Sequence, residues 1–375
     1  MRPLLCSAAA ALALAAALAS GAAAAPPRPD ARAWLVANAA TGEVLAQSHA
    51  DESVAIASIT KLMTVIVALR HLSPSDTVTV YPRAARVGES RIPLSPGQRI
   101  SVRDLLAGAL IQSANDAADA LADAAAGGDQ ERFVGWMNAE AKALGLHDTH
   151  FVRPDGLDAP GHVSSARDVL VLARRAMRIP IVRQLVAKRS ATLADGTVVH
   201  TWNDLLGVFP GLVGVKTGHT DDAGWCEVAA AKRPGYTIYA VVLGSPTRDS
   251  RNDALRRLLR WGVSRFKEAT LVRRTAYASA ALGYGRPAVA LVAPKPLRRL
   301  VHADRPLVRK VVAAAVASLP VRRGQRLGRV EVWQDGKLLA TSPLVAARSV
   351  PKPGLGGRIR WLVTRTVHDL GGLLP

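Results

Sequence analysis

Short runs of apolar residues separated by turn residues predict most of the strands in this chain. Residues 33–47 hold two such runs on either side of Thr41-Gly42, which is the pattern of a β-hairpin. After Thr192 the chain changes to successive short runs of β-forming residues, as expected for antiparallel strands. From residue 271 to residue 349 short strands dominate again, with a second hairpin turn at Asp335-Gly336.

Apolar residues at helical spacing predict the helices. These cover residues 58–71, 101–127, 131–145, 165–177 and 251–266. The second of them is expected to break near residues 113–116, where Ser, Asn and Asp favour caps and turns, and Ser165 is the expected N-cap of the fourth. Helices clustered beside an antiparallel sheet, one group of them forming a helical subdomain, predict an α+β fold followed by a small β-rich domain.

The first 25 residues differ in kind from the rest. Arg2, an Ala/Leu-rich stretch and a run of small residues ending at Ala25 predict a secretory signal peptide over residues 1–25. Cys226 is then the only cysteine of the mature chain, so the fold has to rest on its hydrophobic core rather than on an internal disulfide. No other segment reaches the roughly 20 apolar residues of a membrane span.

The mature chain is long enough for two domains. We expect a first domain over residues 26–267, the β-rich domain over residues 268–349 and a linker over residues 350–357. Residues 358–375 predict an amphipathic helix that associates with a membrane. Its apolar face is expected to hold Ile359, Leu362, Val363, Thr366 and Leu370.

Charge is distributed very unevenly between the two parts of the chain. Residues 26–250 contain 23 basic and 23 acidic residues, whereas residues 251–375 contain 25 basic and 6 acidic residues. A strongly basic C-terminal part predicts an anionic membrane surface as partner. Nucleic acid is not expected as a partner of an exported chain.

Ser58 and Lys61 form the first of three motifs with candidate chemistry. A serine hydroxyl is a poor nucleophile unless a base takes its proton. Because three residues make almost one helical turn, Lys61 is expected on the same face as Ser58. A lysine can act as the base when burial or a neighbouring cation lowers its pKa. Taken alone, the pair also fits an ordinary helix start.

The other two motifs follow in the break between helices and on a strand. Ser113 and Asn115 place a hydroxyl and an amide together, where a plain capping turn is the simpler interpretation. Lys216 and Thr217 suit a carboxylate ligand, and Gly218 lets a peptide approach the backbone closely. A surface lysine in a turn is the alternative there.

In this order, Ser-x-x-Lys, Ser-x-Asn and Lys-Thr-Gly resemble the signature of penicillin-binding proteins and serine β-lactamases. The segments ASITKLMT, QSANDAADALA and VGVKTGHTDDAGWCEVAAA look like those of the low-molecular-mass D-alanyl-D-alanine carboxypeptidases. The C-terminal part is similar to the β-rich second domain and anchor helix of the same family. The resemblance implies the penicillin-binding transpeptidase fold for the first domain.

The resemblance also implies an activity and its residues. It implies an enzyme that removes the terminal D-alanine of peptidoglycan pentapeptides through an acyl-enzyme on Ser58. Such an enzyme is expected to work at the periplasmic face of the cytoplasmic membrane and to bind β-lactams. No metal or other cofactor is expected. The catalytic residues are Ser58, Lys61, Ser113, Asn115 and Lys216. The oxyanion donors are the backbone N–H groups of Ser58 and His219, and the substrate contacts are Lys216, Thr217, Gly218 and Arg251, with Arg248 as the competing arginine.

Three other functions stay open at this point. Val54-Ala55-Ile56, before the nucleophile, departs from the usual carboxypeptidase sequence and is nearer to the D,D-endopeptidases that cut crosslinks. A β-lactamase needs a deacylating glutamate between the second and third motifs, where Glu131 and Glu140 are the only candidates. An inactive wall-binding protein is the third possibility, although every motif residue is present.

Overall fold

The computed structural model describes residues 16–17 and 25–371, which belong to two compact units. The first unit is Ala24–Ser264. The second consists of the described residues from Arg265 onward and the short strand β1, Ala16–Ala17. Apart from these two alanines and Ala25, the predicted signal peptide lies outside the described residues.

The first unit contains one large antiparallel sheet and two small two-stranded sheets. In chain order its strands are β2 (Ala33–Asn38), β3 (Val44–Ser48), β4 (Thr77–Thr79), β5 (Arg99–Ser101), β6 (Ser190–Thr192), β7 (Val198–His200), β8 (Leu212–Thr220), β9 (Gly224–Arg233) and β10 (Tyr236–Ser245). Five of them form the sheet in the order β3-β2-β10-β9-β8, while β4 pairs with β5 and β6 with β7. The predicted hairpin at Thr41-Gly42 is confirmed as β2–β3.

Helices surround this sheet. They are α1 (Lys61–Ala68), α2 (Val102–Ala107), α3 (Asn115–Ala126), α4 (Gln130–Leu144), α5 (Ala166–Ala176), α6 (Pro180–Val186) and α7 (Arg248–Ser264), with 3₁₀ turns at Ala57–Thr60 and Ala84–Arg86. A Cβ at Gly262 of α7 would lie within 3 Å of Ile238 and Val36, so α7 packs directly on β10 and β2. Ser165 caps α5 as predicted, because its Oγ accepts from the Asp168 N–H.

The predicted helix over residues 101–127 breaks where expected. After α2 comes a π-helical turn, Gly108–Gln112, and Ser113 then adopts the left-handed conformation with φ 65°. A left-handed residue cannot continue a right-handed helix, so α3 starts afresh at Asn115. The helix predicted over residues 58–71 is shorter than expected, since a 3₁₀ turn precedes it and α1 ends at Ala68.

The second unit is rich in strands, as predicted. These are β11 (Phe266–Val272), β12 (Ala276–Leu282), β13 (Val289–Val292), β14 (Leu297–His302), β15 (Leu307–Ala313), β16 (Val316–Ala317), β17 (Arg326–Gln334) and β18 (Lys337–Ala346). Seven strands form a sheet in the order β1-β15-β17-β18-β13-β12-β16, and β11 pairs with β14. The predicted hairpin joins β17 to β18, with Asp335 and Gly336 both at positive φ as a tight two-residue turn requires.

The last described element is helix α8, Leu355–Gly371, which begins three residues before the predicted start at residue 358. Gly356 and Gly357 are weak helix formers, and for that reason the sequence pattern assigned them to the linker. Ile359, Leu362 and Val363 are 60%, 55% and 59% exposed. The side chains of Thr366 and Leu370, also predicted on this face, lie outside the described part of the structure.

Within residues 16–17 and 25–371, no helix combines the length and apolar character needed to span a membrane.

Candidate active site

Ser58 lies in the 3₁₀ turn that leads into α1, and Lys61 is the first residue of that helix. Ala57 has φ 49°, an uncommon conformation for a residue with a Cβ, and so the backbone turns sharply just before Ser58. The Lys61 Nζ lies 2.6 Å from the Ser58 Oγ. The one-turn spacing therefore brings a candidate base into hydrogen-bond contact with a candidate nucleophile.

Lys61 is completely buried and its ammonium group is held by oxygen atoms on three sides. Besides Ser58, Nζ donates to the Asn115 Oδ1 at 2.7 Å and to the Asp155 carbonyl oxygen at 2.5 Å. Burial lowers the pKa of Lys61 to about 8, partly opposed by the negative charges of Asp155 and Asp119. A substantial fraction of Lys61 is therefore neutral near pH 8 and able to accept a proton.

The break between α2 and α3 places the second motif at the same site. Because Ser113 is left-handed, its Oγ points to β8 and accepts from the Lys216 Nζ at 2.7 Å. Asn115 is fixed by a neighbouring loop: its N–H donates to the Ser90 carbonyl, and its Nδ2 donates to the Gly88 carbonyl. The side chain of Asn115 is thereby oriented with its oxygen toward Lys61.

Strand β8 supplies the third motif. Lys216 is buried, and its Nζ also donates to the Thr217 carbonyl oxygen at 2.9 Å. Burial lowers its pKa well below the usual range, and the nearby charge of Lys61 lowers it further. A Cβ at Gly218 would lie 2.8 Å from the Ile56 carbonyl oxygen and 3.1 Å from the Ser58 N, so only glycine lets β8 pass this close to the nucleophile.

The two candidate arginines on α7 have different environments. Arg251 is 1% exposed, ion-pairs with Asp204 at 3.0 Å and with Glu227 at 3.3 Å, and lines the cleft beside Ser58. Arg248 has a side chain 39% exposed, pairs with Asp204 and stacks over Trp202, and it is absent from the described lining of the cleft. The position therefore favours Arg251 over Arg248 as a ligand for a bound carboxylate.

Most of the motif residues line one cleft of about 230 Å³, whereas the buried Lys61 and Lys216 are not among its described lining residues. The predicted lining residues are Ser58, Ser113, Asn115, Thr217, Gly218, His219 and Arg251, while Glu89, Ser90, Trp202 and Trp225 also line it and were missed. The missed residues come from loops and from the start of β9, where no short motif marks them. His219 packs its ring against that of Trp225, with centroids 4.1 Å apart.

Neither of the two candidates for the deacylating glutamate of a β-lactamase is among the described lining residues of this cleft. Glu131 lies in the first turn of α4, and Glu140, farther along that helix, is buried in an ion pair with Arg70. Among residues 16–17 and 25–371, no group of three or more His, Cys, Asp or Glu side chains is arranged to hold a metal ion.

Comparison with known proteins now assigns a family. A sequence model described as D-alanyl-D-alanine carboxypeptidase matches residues 20–247. The chain belongs to the D-alanyl-D-alanine carboxypeptidase family. A second model, described as the C-terminal domain of penicillin-binding protein 5, matches residues 266–352 of this carboxypeptidase.

Relatives cover most of the carboxypeptidase chain. D-alanyl-D-alanine carboxypeptidase DacD of Salmonella typhimurium is 36% identical, with 89% of this chain and 90% of the relative covered. DacC of Escherichia coli is 34% identical, with 92% and 90% covered. DacF of Bacillus subtilis is 33% identical, with 84% of each covered.

Solved structures agree with this assignment. Penicillin-binding protein 6B from Escherichia coli superposes with a TM-score of 0.64 at 31% identity, covering 88% of this chain and 99% of that one. Penicillin-binding protein D2 from Listeria monocytogenes, solved in its ampicillin-bound form, gives 0.58 at 33% identity, covering 63% and 98%. The predicted family, α+β fold and enzyme class are confirmed: the chain is a serine peptidase of the D-alanyl-D-alanine carboxypeptidase type.

Proposed function

We propose that this enzyme removes the terminal D-alanine from peptidoglycan pentapeptides through an acyl-enzyme on Ser58. The observation that carries the proposal is the contact between the Lys61 Nζ and the Ser58 Oγ at 2.6 Å, made by a buried lysine with a pKa of about 8. A base that is partly neutral near the working pH, and already hydrogen-bonded to a serine, is what activation of that serine requires.

The reaction has two halves. In the first, the Ser58 Oγ attacks the carbonyl carbon of the penultimate D-alanine while the Lys61 Nζ takes the hydroxyl proton. The bond to the terminal D-alanine then breaks, its nitrogen takes a proton back from the site, and the free amino acid leaves an ester on Ser58. In the second half, water attacks the ester and loses a proton, which releases the shortened peptide as a carboxylate and restores Ser58.

The remaining motif residues hold the charge and the substrate during these steps. The Asn115 Oδ1 accepts a hydrogen bond from the Lys61 Nζ, and the Ser113 Oγ accepts one from the Lys216 Nζ. With Lys61, these groups complete the proton and charge network that returns a proton to the leaving nitrogen. The backbone N–H groups of Ser58 and His219 stabilise the oxyanion of the tetrahedral intermediate. This role is supported by the close approach of β8 to the nucleophile at Gly218. Thr217 and Arg251 bind the terminal carboxylate, through which the enzyme recognises a free chain end.

Labelled penicillin and a pentapeptide ending in D-Ala-D-Ala test this function directly. We expect a penicillin adduct of one molecule per chain, located by mass spectrometry on the peptide containing Ser58, and release of one D-alanine per pentapeptide. Absence of both would indicate an inactive wall-binding protein. Fast hydrolysis of penicillin without D-alanine release would indicate a β-lactamase instead.

Crosslink cleavage is the second candidate activity, and Val54-Ala55-Ile56 is the feature that favours it. Crosslinked muropeptide dimers, supplied beside the monomeric pentapeptide, separate the two activities. The carboxypeptidase shortens the pentapeptide and leaves the dimer intact, whereas an endopeptidase converts the dimer to monomers.

The enzyme is exported through its signal peptide, residues 1–25, and is held at the periplasmic face of the cytoplasmic membrane as a peripheral protein. Support comes from the excess of basic residues in the C-terminal third and from the exposed apolar side chains of Ile359, Leu362 and Val363 on α8. An exposed apolar stripe on a helix flanked by arginines suits insertion into the interface of an anionic bilayer.

Removal of α8 tests the membrane association. A chain ending at Pro351 is expected to lose its binding to vesicles that contain anionic lipid, because it lacks the apolar stripe, while its D-alanine release is unchanged. The Leu362→Ser variant of the full chain changes the apolar stripe and keeps the arginines of the helix. It should bind these vesicles more weakly, as measured by co-sedimentation. Full binding by the shortened chain would contradict the role of α8.

A further inference from the structure

Glu227 is a buried carboxylate on the strand next to β8, and the reaction described above gives it no role. It is 0% exposed on β9, the second strand of the sheet counted from β8. Glu227 pairs across the strands with Thr217, and side chains directly opposite each other in an antiparallel pair lie on the same face of the sheet. Its side chain is therefore on the face where Thr217 and Trp225 line the cleft.

The partner of Glu227 is the arginine of the cleft. The Arg251 Nε lies 3.3 Å from the Glu227 Oε2, and within the described residues neither carboxylate oxygen of Glu227 accepts a hydrogen bond. Arg251 already has another carboxylate, because its Nη2 donates to the Asp204 Oδ2 at 3.0 Å. Glu227 is thus the second carboxylate paired with Arg251. Ionising a buried carboxylate in this position costs free energy, because its charge is removed from water and only partly compensated.

The charged groups around Glu227 come from three elements. Arg251 of α7 favours the ionised form of Glu227, as does Lys216 of β8, whereas Asp204, in the loop before β8, disfavours it. On β10 the cross-strand neighbour is the apolar Val242. Burial outweighs the two cations and raises the pKa of Glu227 to about 7.

We propose that Glu227 is a positioning residue that makes recognition of the substrate's free chain end depend on pH. The terminal carboxylate of the peptide and the carboxylate of Glu227 compete for the positive charge of Arg251. The peptide therefore binds best when Glu227 is protonated. The inference rests on the proposed function in one respect, the contact between Arg251 and the substrate carboxylate. The site is then expected to take up a proton when the peptide binds.

The direction of the effect follows from linkage. A negative charge bound near Glu227 raises its pKa further, so the bound complex holds more protons than the free enzyme. If peptide binding raises the pKa of Glu227 by about one unit, the affinity for the peptide falls by nearly tenfold as the pH rises from about 6 to about 9. With the free pKa at about 7, the same shift corresponds to about half a proton taken up per peptide at pH 7.5.

Calorimetry of the full chain carrying Ser58→Ala measures this uptake, because the variant binds the peptide without cleaving it. A pentapeptide ending in D-Ala-D-Ala is titrated at pH 7.5 in two buffers of different ionisation enthalpy. We expect about half a proton taken up by Ser58→Ala, and markedly less when Glu227→Gln is added. Glu140→Gln is the matched control, since Glu140 is also a buried carboxylate paired with an arginine but lies on α4 away from the cleft.

The possible outcomes distinguish failure of the role of Glu227 from failure of the proposed carboxypeptidase activity. Peptide binding with the same proton uptake in the presence and absence of Glu227→Gln overturns the role of Glu227 and leaves the carboxypeptidase activity standing. A peptide that does not bind overturns both. If Glu227→Gln does not fold, Ser58→Ala with the same peptide carrying a C-terminal amide gives the answer, because an uncharged end should cause no uptake and an undiminished uptake rejects the competition.

Discussion

The Lys61→Arg variant is expected to acylate with penicillin about a hundred- to ten-thousandfold more slowly than the unmodified enzyme, the range seen when a general base is lost. Arginine keeps the positive charge but does not give up its proton at any relevant pH. It therefore cannot take the hydroxyl proton of Ser58, whose Oγ lies 2.6 Å from the Lys61 Nζ. Rapid-mixing measurement of adduct formation with labelled penicillin gives the rate.

The pH dependence of the unmodified enzyme should identify the same group. Only neutral Lys61 accepts a proton, so the acylation rate should fall about tenfold per pH unit as the pH drops below about 8 and level off above it. Lys142→Arg, an exposed lysine on α4, is the control and should keep the rate and the profile. An arginine variant that acylates normally, or a profile without this fall, would require a base other than Lys61.

Much of the fold could be predicted from the sequence because local signals and tertiary packing agree there. The β2–β3 hairpin, the cap at Ser165 and the break at Ser113 each depend on a few adjacent residues whose preferences are strong. The 3₁₀ turn at Ser58 and the helix α6 were missed for a different reason. Their conformations are stabilised by neighbours distant in sequence, as where β8 passes the nucleophile at Gly218.

The site could be predicted as far as its motifs reach. Ser58, Ser113 and Lys216 could be assigned to one site because each lies in a short motif beside a recognisable turn, helix start or strand. Glu227 carried no signal, since one glutamate in the strand GWCEVAAA looks like a solvent-facing position of an alternating pattern. Only the pairing of β9 between β8 and β10 shows that it is buried.

Spacing also could not decide between Arg248 and Arg251, which lie three residues apart near the start of the same helix. Residues at that spacing share a face, and both arginines contact Asp204. Burial separates them, because Arg251 packs over Trp225 at the cleft whereas Arg248 stacks on Trp202 and stays partly exposed.

That difference leads to a second large expected effect, for the Arg251→Gln variant. We expect its kcat/KM for a pentapeptide with a free carboxyl end to fall by at least about thirtyfold, since truncating one member of a buried charge pair costs about 2 kcal/mol or more. The stability of the first unit should fall by about 3–5 kcal/mol, because Glu227 and Asp204 lose a shared buried cation. Release of D-alanine and denaturant unfolding measure the two effects.

Two further variants separate recognition from stability. Adding Glu227→Gln to Arg251→Gln removes the unpaired buried carboxylate, so most of the lost stability should return while kcat/KM stays low. Arg248→Gln breaks only a partly exposed ion pair, which contributes about 0–1 kcal/mol, and should leave kcat/KM nearly unchanged. If Arg248→Gln lost activity toward the free carboxyl end and Arg251→Gln kept it, the carboxylate ligand would be Arg248, and the competition assigned to Glu227 would have no arginine to act on.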